Sequence, residues 1–213
     1  MDGAGVRLGA VVLAGGRSRR MGVDKALVRW QGRSLLDQVC AAAAIAADPV
    51  AVLTPWPERY GADVVGPVVW LREPVAADEG PSGPLAALAV ALESWEGAGL
   101  GPVDWVLLLG CDLPLLSGER LRVWRSRLDQ LDASILAWVP RTGDRWEPLC
   151  GFYRPAVLPS LRGAIAAGVR SFQPWLSALP AEPLPLTEGD RAMLHNCNRP
   201  EDLPDGATLP EAP

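Results

Sequence analysis

Five apolar runs, residues 8–13, 50–53, 64–71, 105–109 and 134–139, are continuous rather than alternating. A strand with one wet face alternates polar and apolar residues. An unbroken run must instead be covered on both faces, as in a mainly parallel sheet flanked by helices. Helical patterns over residues 34–47, 83–95 and 118–131 fall between these runs. Ser34, Ser82 and Ser117 stand where N-caps belong, with Glu119 in the first turn of the third helix. Strand–helix alternation predicts an α/β layer structure that binds ligands beyond the carboxyl ends of its strands.

After about Gly143 the rhythm changes. Residues 148–153 read as a strand, and 155–167 and 171–179 as helices. Residues 180–186 are proline-rich and suit an edge strand or loop, because proline cannot donate to a central ladder. From Pro204 onward proline, glycine and acidic residues predict a frayed tail. The expected organisation is one domain over 1–203 and a tail over 204–213.

The first run leads into Leu13-Ala-Gly-Gly-Arg-Ser-Arg-Arg-Met-Gly-Val-Asp-Lys25. Adjacent glycines let backbone N–H groups approach a ligand, and arginine and lysine beside them suit an anionic triphosphate. This is neither a P-loop, which needs lysine directly after glycine, nor GxGxxG, which argues against a dehydrogenase. A solvated glycine turn is the bland alternative. With a net charge of −5 the chain is no nucleic-acid coat or membrane-surface protein, so basic residues beside Gly16 form a local feature.

Three further segments bear polar groups. Asp112, in Gly110-Cys-Asp-Leu-Pro114, ends a buried run; it could hold Mg²⁺ against phosphate oxygens or merely cap the next turn. Glu73-Pro74 precedes Gly80-Pro-Ser-Gly-Pro-Leu-Ala-Ala87, whose small residues permit close approach to a flat base or ribose. Asn196 and Asn198 lie two apart, so an extended segment puts both amides on one face; either could instead fix a turn. Cys40, Cys111, Cys150 and Cys197 are scattered, which predicts reduced, packed thiols rather than a zinc site. A single histidine, His195, excludes mechanisms that need two. No apolar run approaches the ~20 residues of a membrane span. The first residues also lack a signal-peptide pattern, so a cytoplasmic protein is expected.

Taken in order, segments 13–25, 83–85, 111–114, 147–154 and 196–203 resemble the molybdenum cofactor guanylyltransferases of the small nucleotidyltransferase superfamily. The resemblance implies a Rossmann-like three-layer α/β/α fold of the nucleotide-diphospho-sugar transferase type. It also implies transfer of GMP from GTP to the terminal phosphate of molybdopterin, with Mg²⁺ and release of pyrophosphate. Carried over by motif, Leu13, Ala14, Gly15 and Gly16 line the guanine and phosphate pocket. Arg20 and Lys25 neutralise the triphosphate, Asp112 binds Mg²⁺, and Glu73 stands where relatives carry an aspartate near guanine or ribose. Asn198 completes the metal site or joins Asn196 in contacting the acceptor. Handover to a molybdoenzyme apoprotein or chaperone would follow, with no nucleic-acid or membrane partner. Two departures from the family pattern are Ala87, in place of a glycine, and the pair Glu147-Pro148 before the late strand. CTP as donor, another phosphorylated acceptor, or a non-catalytic nucleotide-binding protein are the competing readings. Leu13-Ala-Gly-Gly, rather than the Leu-Ala-Ala-Gly of cytidylyl relatives, favours GTP.

Overall fold

The computed structural model describes residues 5–16, 21–75 and 83–210. Arg20 and the Ser82 cap position lie outside them. The elements begin with β1 (Leu8–Leu13), the short strands β2 (Arg29–Trp30) and β3 (Arg33–Ser34), α1 (Leu35–Ala44), β4 (Val50–Thr54), α2 (Pro57–Tyr60) and β5 (Val69–Arg72). Then come α3 (Pro84–Gly97), β6 (Trp105–Gly110), α4 (Gly118–Arg125), β7 (Ala137–Thr142), β8 (Arg145–Trp146) and β9 (Cys150–Tyr153). The chain continues through α5 (Leu158–Ala166), α6 (Phe172–Ala178), β10 (Ala181–Leu184) and α7 (Glu188–Met193).

The sheet runs β10-β7-β9-β6-β1-β4-β5, with β8 paired to β7. β1 is central and parallel to both β4 and β6, and β5 is parallel to β4. β9 runs antiparallel to β6 and β7. The few residues between β7 and β9 are too short for a parallel crossover, which needs a dozen or more. Pro183 sits in the edge strand β10, where its missing N–H leaves no gap in a central ladder.

Both faces of the sheet are covered, as continuous apolarity requires. Ala10, Val12, Leu107 and Leu109 pack with Leu36, Val39, Leu121 and Trp124 of α1 and α4. Val11, Leu53, Val106 and Leu108 pack with Leu88 and Leu92 of α3, Leu161 of α5 and Trp175 of α6. Gly9 lies in β1 beneath the buried Trp95 ring, and a Cβ there would run into that ring. Gly9→Ala is expected to cost about 1–3 kcal/mol of stability by overpacking, read as a lower midpoint in urea unfolding.

Several boundaries differ from the sequence expectation. The run 64–71 yields a strand only from Val69, because Gly66-Pro67 interrupts it and leaves Val65 86% exposed. The run 134–139 shifts to 137–142, since pairing with β8 carries β7 on through Arg141 and Thr142. The helix expected over 118–131 ends at Arg125, and a 3-10 turn follows at Leu128–Gln130. The β2–β3 hairpin and α7 had no counterpart in the sequence reading. The hairpin turns on Gln31 and Gly32, with φ of 51° and 79°. Beyond Pro204 the chain bonds to that hairpin: Arg29 and Thr208 exchange backbone hydrogen bonds of 2.9 and 2.7 Å, and the Trp30 indole donates to the Asp205 carbonyl. Among the described residues no helix is long and apolar enough to cross a membrane.

Candidate active site

The carboxyl ends of β1 and β6, neighbours in the sheet, open into one cleft of about 240 Å³. Leu13, Ala14, Gly15, Gly16, Lys25, Glu73 and Asp112 all line it, together with Asp24 and the start of α3. The Ala14 N–H donates to the Leu53 carbonyl at 3.0 Å and the Cys111 N–H to the Leu13 carbonyl at 3.3 Å, so both rims are fixed to the sheet. Gly15 has φ of 103°, and a Cβ there would lie 2.8 Å from Pro55 Cδ; only glycine satisfies both conditions. At Gly16 a Cβ would meet nothing within 4 Å, so that backbone faces open space.

Lys25 begins a one-turn 3-10 helix, Lys25–Leu27, whose N-cap is Asp24. One Asp24 oxygen accepts from the Ala26 N–H at 3.1 Å, and the other accepts from the buried Tyr60 hydroxyl at 2.7 Å and from Arg59 at 3.3 Å. Burial raises the Tyr60 pKa far above its ordinary value, and the adjacent Asp24 carboxylate raises it further. The phenol is therefore a permanent donor, and it anchors the turn that aims Lys25.

The Lys25 ammonium donates to the Asn198 amide oxygen at 2.8 Å and lies 3.4 Å from the Asp112 carboxylate. These side chains come from three distant parts of the chain. The Asp112 carbonyl accepts from the Cys197 N–H at 3.0 Å, which draws the late segment against β6. One Asp202 carboxylate oxygen then accepts from the N–H groups of Asn198 and Arg199, each at 2.9 Å. Those two donors hold the Asp202 carboxyl below the usual carboxylate range. Cys197 is buried, whereas Asn196 and Asn198 are less so. Asn198 meets Lys25, and Asn196 lines a second cavity of about 270 Å³ that shares Pro84 and Leu149 with the cleft.

Glu73 is only 6% exposed and follows β5, its N–H donating to the Thr54 carbonyl at 2.9 Å. The four cysteines are unpaired, and burial lifts the Cys111 thiol well above its ordinary range. No group of three histidine, cysteine, aspartate or glutamate side chains that could cage a metal occurs among the described residues. Two side-chain oxygen donors, the Asp112 carboxylate and the Asn198 amide, gather around one cation, the Lys25 ammonium. This donor set suits a hard ion that takes one or two protein oxygens and keeps water or phosphate for the rest.

Asp24, Tyr60 and Asp202 escaped the sequence reading. Asp24 had a local signal, an aspartate at an N-cap directly before the lysine. Tyr60 had none, because it reaches Asp24 only through the packing of α2 against the loop.

The model of the MobA-like NTP transferase domain matches residues 10–181. A Synechococcus elongatus protein named "probable molybdenum cofactor guanylyltransferase" is 45% identical over 193 residues, covering 91% of this chain and 94% of its own length. The molybdenum cofactor guanylyltransferase of Pseudomonas putida is 34% identical over 196 residues, covering 92% and 95%. Among solved structures, the molybdopterin-guanine dinucleotide biosynthesis protein A of Archaeoglobus fulgidus superposes with a TM-score of 0.70 at 21% identity. It covers 91% of this chain and 94% of that one.

Proposed function

The chain belongs to the MobA-like NTP transferase domain family, and from that premise we propose that it transfers GMP from GTP to the terminal phosphate of molybdopterin. The observation that carries this reading is the meeting of Lys25, Asp112 and Asn198 at the carboxyl end of the central strands, beside the glycine turn. The triphosphate lies along the backbone of Gly15 and Gly16, with the Lys25 ammonium beside it to neutralise its charge. Arg20, from the same loop, adds a second cation. The buried Glu73 carboxylate reads the N1–H and 2-amino donors of guanine, which cytosine does not present.

An acceptor phosphate oxygen attacks the α-phosphorus in line. The new P–O bond forms as the bond to the β-phosphate oxygen breaks, and pyrophosphate leaves. A phosphate nucleophile is already ionised near neutral pH, so no general base is required; placement and charge neutralisation carry the rate. Asp112 and Asn198 would hold Mg²⁺, which supplies further positive charge against the triphosphate oxygens. The second cavity, with Asn196 on its wall, takes the body of the acceptor.

Incubation with Mg²⁺-GTP and molybdopterin, followed by mass analysis, is expected to show the guanine dinucleotide and pyrophosphate. CTP, UTP and ATP should compete poorly. Glu73→Gln is expected to reduce the preference for GTP over CTP by about tenfold or more, the size of a lost charge-assisted hydrogen bond. An unchanged nucleotide preference would remove Glu73 from base recognition.

A further inference from the structure

The second cavity holds a carboxylate that the reaction chemistry leaves unused. Glu147 lies on its wall, between β8 and β9, two residues from the Leu149 that divides this cavity from the nucleotide cleft. Its backbone is pinned. The Glu147 N–H donates to the Pro140 carbonyl at 2.8 Å. The preceding residue, Trp146, is clamped by the Gln173 amide, which accepts from its N–H at 2.9 Å and donates to its carbonyl at 2.8 Å. The Glu147 carboxylate itself accepts no hydrogen bond from a described residue, although the residue is half-buried. Burial pushes its pKa up, and the neighbouring Arg145 offsets only part of that.

A partly desolvated carboxylate on a fixed backbone is costly unless donors reach it, and a ligand entering the cavity would bring them. The same cavity is lined by Arg145 and Arg170, which disfavour a cationic ligand and suit anionic substituents. The combination fits a ligand that is neutral with N–H donors at one edge and anionic elsewhere. Resting on the reaction proposed above, we propose that Glu147 selects the acceptor, its two oxygens taking the paired N–H donors of a 2-amino-4-oxopyrimidine ring, the outer edge of a pterin. That contact fixes the ring at the far wall while the acceptor phosphate extends past Leu149 toward Lys25. Gln173 serves as a positioning residue for the strand that presents Glu147.

The test compares the wild type with Glu147→Gln and Glu147→Ala in the Mg²⁺-GTP and molybdopterin assay. Both variants are expected to raise the acceptor KM about tenfold or more, as one charge-assisted contact is lost, with the GTP KM and kcat held within about twofold. A soluble pterin phosphate and its lumazine counterpart, in which oxygen replaces the 2-amino group, serve as competing inhibitors. The wild type should favour the pterin by about tenfold, and Glu147→Gln should lose that preference. Normal turnover with an unchanged acceptor KM, or an unchanged pterin preference in Glu147→Gln, overturns the assignment alone. A wild type that forms no dinucleotide from GTP and molybdopterin overturns the reading of the reaction, and this assignment with it.

Discussion

Lys25→Ala is expected to lower the proposed GMP transfer by about 10²–10³-fold, in kcat more than in the KM for GTP, because in that reaction it would remove a fixed charge where charge develops at the α-phosphorus. The ammonium is held 2.8 Å from Asn198 and 3.4 Å from Asp112, and its side chain is 14% exposed. A charge so placed needs no reorganisation as the transition state forms, and its effect is larger away from bulk water. Lys25→Arg should recover only part of the rate, since a planar fork cannot reproduce the contact of a compact ammonium. Thermal unfolding of Lys25→Ala should stay close to that of the wild type, because the pair stands at the cleft and not in the core. Steady-state kinetics with Mg²⁺-GTP check the prediction. A turnover within about threefold of the wild type would show that the cation is not part of the chemistry.

Asp190→Ala should have the largest effect on stability, about 3 kcal/mol, for a reason remote from the reacting groups. Its carboxylate, 3% exposed, takes a forked contact from the guanidinium of Arg120 of α4, with Nη2 at 2.7 Å. It also completes a capping box with Thr187, accepting the Thr187 N–H at 2.7 Å while the Thr187 hydroxyl accepts the Asp190 N–H at 3.3 Å. Removing it strips the cap from α7 and leaves a guanidinium without its partner. Arg120 is 28% exposed and can turn toward water, which keeps the loss at the low end of the 3–5 kcal/mol typical of a broken buried pair. For a chain of this size that corresponds to roughly 6–12 °C in Tm, measurable by calorimetry.

Burial alone would raise the Asp190 pKa, but the hydrogen bonds from Arg120 and Thr187 outweigh it and hold the carboxyl below its ordinary value. A depressed folded-state pKa stabilises fully above the unfolded value, about pH 4, and that contribution disappears as pH falls through the folded one. The difference in stability between the wild type and Asp190→Ala should therefore be constant near neutrality and shrink in acid. A difference that grows as pH is lowered would contradict the assignment.

The sheet was legible because apolar continuity is a local property. β1 matches its run residue for residue, and β4 and β6 extend theirs by one. Prolines and pairings blurred the rest: Gly66-Pro67 delayed β5, and β8 lengthened β7. At the site, the glycine turn and Asp112 were visible as residue types at strand ends. The Asp24–Tyr60 anchor and the Gln173 hold on Trp146 were not, because each joins groups whose chain spacing follows no motif, whereas the Asp202 clamp has the local spacing of a capping box, an acid three residues after Arg199.

The order of residues was enough to establish a sheet covered on both faces, a glycine turn at the end of its first strand, and polar groups at strand ends. Those follow from hydrophobic burial and backbone freedom, which act between near neighbours. Only the folded chain could decide that Lys25 meets Asp112, 87 residues away, and Asn198, 173 residues away. Such contacts depend on which strands become neighbours and on where the late segment docks. Both are settled by packing of the whole core, which no single stretch of the chain encodes.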